Sequence, residues 1–248
     1  MDVAHELAPK LAALPGVLAV TLGGSRARGE HRFDSDWDFG VYYRGAFDAR
    51  VLGELGYPGH VAQPGDWGRL VNGGAWLSVQ GRAVDVLLRD LDQVERWWVD
   101  ARRGRFEIDN VEGHLAGLPT YTPIGEIALG LPLFGELPSV TYPDQLREVA
   151  ARRWRWNAAF SLEFADQYLQ RNDKVLAAGM LTRALAQAAH GVLAGRGEWV
   201  LNEKRLIGRA GLNEAEALLG GLWTIPAETL AAVRALIAPP PLTELFAR

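Results

Sequence analysis

The stretch that decides the fold is L-G-G-S-R-A-R-G at residues 22–29, followed by D-S-D-W-D-F at residues 34–39. The apolar run at residues 17–22 predicts a buried strand that ends in glycines, which let the backbone approach a ligand closely. A helix beginning at Ser25 would point free N–H groups at an anion, and the arginines add cationic donors suited to phosphate. The residues of this predicted phosphate site are Gly24, Ser25, Arg26 and Arg28.

Three carboxylates follow the phosphate motif. Asp36 and Asp38 lie two apart on a predicted strand, so the period of two puts both side chains on one face. Adjacent carboxylates repel unless a cation lies between them, and Mg²⁺ prefers oxygen ligands together with substrate phosphates. Asp85 lies in the apolar segment A-V-D-V-L-L, where burial is costly unless the carboxylate is paired or metal-bound. A third carboxylate on a neighbouring strand would complete a one- or two-metal site, whereas pairing with Arg82 or Arg28 is the alternative.

The order of these motifs resembles the DNA polymerase beta-like nucleotidyltransferase superfamily, in which G-G-S is followed by D-x-D. The form G-S-R-A-R-G…S-D-W-D is most similar to small bacterial nucleotidyltransferases, including antibiotic adenylyltransferases of the kanamycin and lincosamide kinds. The resemblance implies that Gly24 and Ser25 hold a triphosphate, that Asp36 and Asp38 hold Mg²⁺, and that Asp85 is a third metal ligand or a base. It also implies a mixed sheet with helices, and therefore an α+β fold.

Hydrophobic spacing divides the chain into two predicted domains, a mixed-sheet domain at residues 1–139 and an all-helical domain at residues 140–248. In the first domain, the predicted helices cover residues 3–14 and 91–103, and the predicted strands cover residues 17–22, 36–43, 76–79 and 83–88. Residues 104–139 contain four prolines and are predicted to be irregular. In the second domain, helices are predicted at residues 143–170, 173–193, 203–209, 213–219 and 226–237, before the prolines at 239–241.

The helical half resembles the domain that closes the cleft over the acceptor in many such enzymes. The segment W-V-L-N-E-K-R at residues 199–205 resembles an N-E-K segment of those domains, which implies that Lys204 contacts nucleotide phosphate. Glu163, flanked by apolar residues, is an alternative to Asp85 as the general base. For Arg26, Arg28, Lys204 and Glu163, an ordinary place on the solvated surface is the competing interpretation.

Composition excludes several function classes. The absence of Cys from the 248 residues excludes disulfides, zinc–thiolate sites and thiol nucleophiles. A formal charge of −4 argues against a protein built mainly to coat nucleic acid. The amino-terminal residues do not resemble a signal peptide, and the longest apolar runs are too short for a membrane span, so a cytoplasmic location is expected. The nine Trp are an excess and are interpreted mostly as core residues, with at least one of Trp154, Trp156 and Trp199 in the wall of an acceptor pocket as the alternative.

The motifs and the family resemblance together imply a Mg²⁺-dependent nucleotidyltransferase that moves AMP from ATP to a hydroxyl group of a small molecule and releases pyrophosphate. Asp36, Asp38 and Asp85 are the expected catalytic and metal-binding residues. Two alternatives stay open, namely a toxin-type enzyme that modifies tRNA or protein, and a non-catalytic module that binds nucleotide. A nucleic-acid acceptor is not favoured, and the sequence leaves the acceptor and the oligomeric state undetermined.

Overall fold

The computed structural model describes residues 3–238. The chain folds into two compact units. The first unit combines the residues up to Asp100 with Pro119–Thr141, and the second combines Ala101–Leu118 with the chain from Tyr142 onward. The prolines at 239–241, expected to end regular structure, lie outside the described residues.

The first unit is built on a six-stranded mixed sheet with the strand order β3-β4-β5-β2-β1-β8. The strands, in chain order, are β1 Val17–Leu22, β2 Trp37–Tyr43, β3 Gly59–Ala62, β4 Gly74–Val79, β5 Arg82–Asp90, β6 Ile108–Asp109, β7 Leu118–Pro119 and β8 Leu131–Phe134. Among the strands of residues 3–238, β6 and β7 lie outside the large sheet and pair with each other, and β6 belongs to the second unit. Strands β2 and β5 are parallel, and the other pairs in the large sheet are antiparallel.

Two long helices and four short ones accompany this sheet. They are α1 Val3–Ala12, α2 Gly24–Ala27, α3 Arg50–Gly53, α4 Gly68–Val71, α5 Leu91–Arg102 and α6 Thr122–Leu129. The alternation of apolar and polar residues along β2 buries Phe39 and Val41 in a core that also contains Leu7 and Leu11 of α1. The opposite face of β2 carries Asp38, so the sheet separates the core from the predicted metal ligands.

The fold class predicted from the sequence is confirmed, since a mixed sheet precedes a long helical segment. The prediction that residues 104–139 are irregular is wrong in part, because this segment contains α6 and the edge strand β8. Pro123 lies in the first turn of α6, where its missing N–H costs no hydrogen bond. Pro132 lies on an edge strand, where proline is tolerated.

A nearly buried ion pair joins β5 to α6. Arg89 donates to both carboxylate oxygens of Glu126, from Nε at 2.6 Å and from Nη2 at 2.8 Å. Only 5% of the Arg89 side chain and 21% of the Glu126 side chain are exposed. A bidentate pair in this setting orients α6 strongly, because either charge alone would be buried without compensation.

We expect Glu126→Ala to lower the free energy of unfolding by about 3 kcal/mol, because it leaves the Arg89 guanidinium buried without a counter-charge. Urea denaturation measures this change. The control is Arg32→Ala, which removes an ion pair with Asp34 whose side chains are 79% and 71% exposed. The control should cost less than about 1 kcal/mol. Equal losses in the two variants would contradict the assignment.

The second unit is helical. Its helices are α7 Asp144–Gln170, α8 Lys174–Arg196, α9 Leu206–Ala210, α10 Glu214–Gly220 and α11 Pro226–Ile237, with a 3-10 turn at Gly221–Trp223. Asp173 caps α8 by accepting a hydrogen bond from the Leu176 N–H at 3.2 Å. Within residues 3–238, no helix is both long and apolar enough to cross a bilayer.

Residues 101–118 group with the helical unit, although the sequence division places them in the first domain. Glu203 supplies a physical reason, since its carboxylate accepts the N–H groups of Leu115 and Ala116, each at 2.7 Å. Arg153 of α7 donates to the Phe106 carbonyl and lies over the Phe106 ring. Glu203 of the N-E-K segment therefore has a structural role in this unit.

A buried histidine lies in the core of the helical unit. His190 of α8 stacks on Trp154 of α7 with ring centroids 4.3 Å apart, and both side chains are buried. Neither His190 ring nitrogen has a hydrogen-bond partner in the described structure, and Nε2 lies 3.9 Å from Oε1 of Glu203. Burial, followed by the nearby charges of His114 and Arg209, lowers the pKa of His190 to about 3.

This depressed pKa predicts a loss of stability in acid. Unfolded histidine titrates near pH 6.5, so below that pH the unfolded state binds a proton that the folded protein does not bind at His190. Protonation of the unfolded state alone lowers the free energy of unfolding. Between pH 7 and pH 5, His190 should cost the protein about 2 kcal/mol of unfolding free energy. In urea denaturation, His190→Gln should lack this part of the loss, and the exposed-site control His60→Gln should keep it. An unchanged pH dependence in His190→Gln would refute the assignment.

Candidate active site

Two of the predicted site residues of the first unit, Asp38 and Asp85, lie in one row that crosses the sheet. In register order the row contains His60 of β3, Trp76 of β4, Asp85 of β5 and Asp38 of β2. It ends at Gly23, directly after β1, whose N–H donates to the Asp38 carbonyl at 2.7 Å. Because partners that are directly opposite across strands share a face, the side chains of this row lie on one side of the sheet.

Asp38 and Asp85 are direct neighbours in this row, on the parallel strands β2 and β5. Adjacent strands are about 4.8 Å apart, so two carboxylates at the same register are close enough to share a ligand. The flanking residues Phe39, Val84 and Val86 are buried in the core on the other face. The two Asp residues are half-buried, so they face the open side of the sheet. The structure thus brings together two of the three predicted carboxylates.

Asp36 lies one residue before β2 and is exposed. Its backbone carbonyl accepts a hydrogen bond from Arg26 Nε at 3.0 Å, and the neighbouring Ser35 carbonyl accepts from Arg26 Nη2 at 2.6 Å. The Arg26 guanidinium also lies over the Trp37 ring, 4.0 Å from its centroid. Arg26, predicted to bind phosphate, therefore fixes the loop that carries Asp36.

The loop after β1 packs directly against the Asp38 carboxylate. A Cβ at Gly24 would lie 1.7 Å from Oδ2 and 2.6 Å from Cγ of Asp38, and Gly24 has a φ of +60°. Only glycine combines this backbone conformation with this close approach. Gly24 therefore links the predicted phosphate loop to the predicted metal ligand.

The remaining residues of the predicted phosphate loop lie in and after the single helical turn α2. Ser25 is half-buried, and its carbonyl accepts the Glu30 N–H at 2.9 Å. Arg28 is at the surface, where its Nε lies 3.2 Å from Oε2 of Glu30. An exposed ion pair of this kind is weak, so the Arg28 guanidinium is available to an anionic ligand.

Lys204 and Glu163 belong to the second unit and stay sequence predictions. Lys204 is exposed, and its backbone N–H donates to the Asn202 side chain at 3.0 Å. Glu163 accepts a hydrogen bond from Arg234 Nη1 at 2.8 Å. Glu163 is therefore engaged in an ion pair with Arg234.

The donor set fits a magnesium ion that is shared with a substrate. In residues 3–238, no three His, Cys, Asp or Glu side chains converge into a preformed metal site. Mg²⁺, however, usually binds through one or two carboxylates and completes its shell with water and substrate phosphates. Asp38 and Asp85 at one register, with Asp36 two residues away, supply carboxylates of this kind.

An aromatic group beside Asp85 was not predicted from the sequence. Trp76, interpreted as a core residue, is 54% exposed, because it alternates with the buried Ala75 and Leu77 along β4. Trp223, given the same interpretation, is 55% exposed. The alternation in G-A-W-L-S-V is the signal that could have placed Trp76 on the open face, since Ala, Leu and Val occupy every second position.

Comparison with protein families finds one match, in the part of the chain that carries this site. The family model for the nucleotidyltransferase domain matches residues 5–101. Over these residues, which are less than half of its length, the chain is similar to nucleotidyltransferase domains. The matched segment contains Gly24, Ser25 and all three predicted carboxylates, as the resemblance of the sequence motifs implies.

Two solved structures are similar to the chain in outline. A nucleotidyltransferase-like protein from Exiguobacterium sibiricum is 11% identical, with 95% of this chain and 73% of that chain covered and a TM-score of 0.46. Spectinomycin adenyltransferase AAD(9) from Enterococcus faecialis, solved with ATP and spectinomycin, is 11% identical, with 95% and 96% covered and a TM-score of 0.31. Comparison with curated proteins finds no match.

The contact between Gly24 and Asp38 predicts energetic coupling between the two residues. Gly24→Ala should destabilise the fold both by its positive φ and by its overlap with the carboxylate, and Asp38→Ala should relieve the overlap. In a double-mutant cycle measured by urea denaturation, the combined loss should fall short of the sum by about 1 kcal/mol.

The matched control for this cycle is Gly29→Ala. Gly29 has a φ of +68°, but a Cβ there would meet nothing within 4 Å. Its cost should therefore be the backbone strain alone, about 1 kcal/mol, and it should be additive with Asp38→Ala. Additive losses for Gly24→Ala and Asp38→Ala would contradict the proposed contact.

Proposed function

We propose that this protein transfers AMP from ATP to a hydroxyl group of a small molecule and releases pyrophosphate. The observation that carries the proposal is the register of β2 and β5, which sets Asp38 beside Asp85 next to the Gly24 loop. The nucleotidyltransferase family match over residues 5–101 supports the reaction class. Carboxylates beside a glycine-rich loop are the groups that phosphoryl-type transfer requires.

The residues of the loop bind and position the donor. The backbone N–H groups around Gly24 and the Ser25 hydroxyl bind the polyphosphate, and Arg28 adds positive charge at the surface. Arg26 holds the Ser35 and Asp36 carbonyls and so fixes the backbone of the loop that carries Asp36. Lys204 of the helical unit is proposed as a further phosphate contact.

Asp36, Asp38 and Asp85 would hold Mg²⁺ together with the polyphosphate. When bound, the ion neutralises charge on the phosphate oxygens and polarises the α-phosphorus. Asp85 also accepts the proton of the acceptor hydroxyl as its oxygen bonds to the α-phosphorus. The bond from that phosphorus to the bridging oxygen breaks, and pyrophosphate leaves with the electron pair.

The proposed donor is ATP, and the proposed acceptor is a small molecule with a free hydroxyl group. The Enterococcus structure is named for ATP and spectinomycin, so these two compounds are the first pair to assay. Kanamycin, named by the sequence resemblance, is the second acceptor to assay. Release of pyrophosphate and transfer of label from [α-³²P]ATP report the reaction independently.

We expect Asp38→Asn and Asp85→Asn each to reduce AMP transfer at least about 1,000-fold while the thermal midpoint stays within a few degrees, because charge stabilisation supplies most of the acceleration. The matched control is Asp34→Asn, which changes an exposed carboxylate of the loop before β2. Glu163→Gln tests the alternative general base, and its rate of AMP transfer should stay within about tenfold of that of the unsubstituted protein.

Two outcomes would contradict the proposal. Retained transfer in Asp38→Asn would remove the assigned site, and full loss in Glu163→Gln with activity in Asp85→Asn would reassign the base. Binding of ATP with Mg²⁺ but no pyrophosphate release with either acceptor would favour a nucleotide-binding module instead.

A further inference from the structure

The row that carries Asp38 and Asp85 continues past the carboxylates into exposed aromatic rings. Trp76 is the direct register partner of Asp85 across β4 and β5, and His60 is the partner of Trp76 across β3 and β4. Trp67 stacks on Trp76 with ring centroids 4.7 Å apart and an interplanar angle of 17°. The His60 ring lies 5.9 Å from the Trp76 ring.

Trp67 packs closely on Gly74 of β4. A Cβ at Gly74 would lie 3.2 Å from Cζ3 of Trp67, so the Trp67 ring lies directly over the backbone of β4. Gly74 and Trp76 are two apart on the strand and therefore share the face of Asp85. The two indoles thus form a fixed surface beside the carboxylates, and more than half of Trp76 is exposed to solvent.

We infer that Trp76, supported by Trp67, is the surface on which the acceptor lies, and that the acceptor is a cyclic polyol such as a saccharide ring. The inference rests on the proposed function. The order of the row is the reason, because Asp85 separates Trp76 from the Gly24 loop that binds the polyphosphate. In-line displacement brings the acceptor from the side opposite the leaving pyrophosphate.

The chemistry of the two neighbouring side chains selects the ligand class. A ligand beside Asp85 must offer a hydroxyl group that donates to the carboxylate. The indole lies one strand away, at about 5 Å, so the same ligand must also offer an apolar surface. A polyol ring meets both requirements, since its hydroxyls lie at the edge and its C–H groups cover the faces. An acyclic polyol offers hydroxyls without a fixed apolar face, so it should bind more weakly.

The test follows the indole N–H resonance of Trp76 in the ¹⁵N-labelled full-length protein with Mg²⁺ and a non-hydrolysable ATP analogue. Loss of one peak in Trp76→Phe assigns the resonance, and Trp223, which is 55% exposed in the helical unit, supplies the matched reference. The cyclic probes are methyl α-D-glucopyranoside and myo-inositol, and glycerol is the acyclic control.

Saturable movement of the Trp76 peak with a cyclic probe, without movement of the Trp223 peak, is the expected result. Trp76→Ala should weaken binding of the cyclic probe at least tenfold, and Trp223→Ala should leave it unchanged. No movement of the Trp76 peak at saturating nucleotide, or equal movement with glycerol, would overturn the inference.

Two further results separate this inference from the proposed function. If Trp76→Ala weakens binding of the ATP analogue tenfold and leaves binding of the cyclic probe unchanged, the indoles bind the base of the nucleotide donor. The acceptor assignment is then wrong. If Asp38→Asn retains AMP transfer, the proposed site fails. A saturable Trp76 shift would in that case still show that the cyclic probe binds the indoles.

Discussion

The parallel pairing of β2 with β5 is the constraint on which the candidate site depends. It sets Asp38 opposite Asp85, and burial of Phe39 and Val86 on the other face fixes that register. A slip of one residue in β5 would turn Asp85 toward the core and Val86 toward solvent. Burial of these apolar side chains therefore positions the carboxylates, although the apolar side chains lie on the opposite face of the sheet.

Two local contacts then fix the loops that flank the carboxylates. Gly24 lies against the Asp38 carboxylate, and Arg26 bonds the Ser35 and Asp36 carbonyls. Arg82, weighed in the sequence as a partner for Asp85, donates to the Phe33 carbonyl at 3.0 Å and lies over the Phe33 ring. Both arginines thus stabilise the loop between the phosphate motif and β2, which carries Asp36.

The elements that were predicted well are those whose signals are local. The strand Val17–Leu22 and the helix Pro226–Ile237 have the bounds that periodicity predicted, and the remaining long helices differ at their ends. The prediction failed for α6 and β8, because prolines were interpreted as breaks. Pro123 and Pro132 instead lie in the first turn of a helix and on an edge strand, where a missing N–H is tolerated.

The sequence by itself determined the α+β class, the motif residues from Gly24 to Asp38, and Asp85 as an acid in an apolar strand, because composition, spacing and periodicity are local properties. Tertiary structure alone decided that Asp85 lies beside Asp38, that Arg26 bonds the Asp36 loop, and that Trp76 is exposed next to Asp85. The physical reason is that strand order and register join residues far apart in the chain, and no local pattern specifies which strands become neighbours.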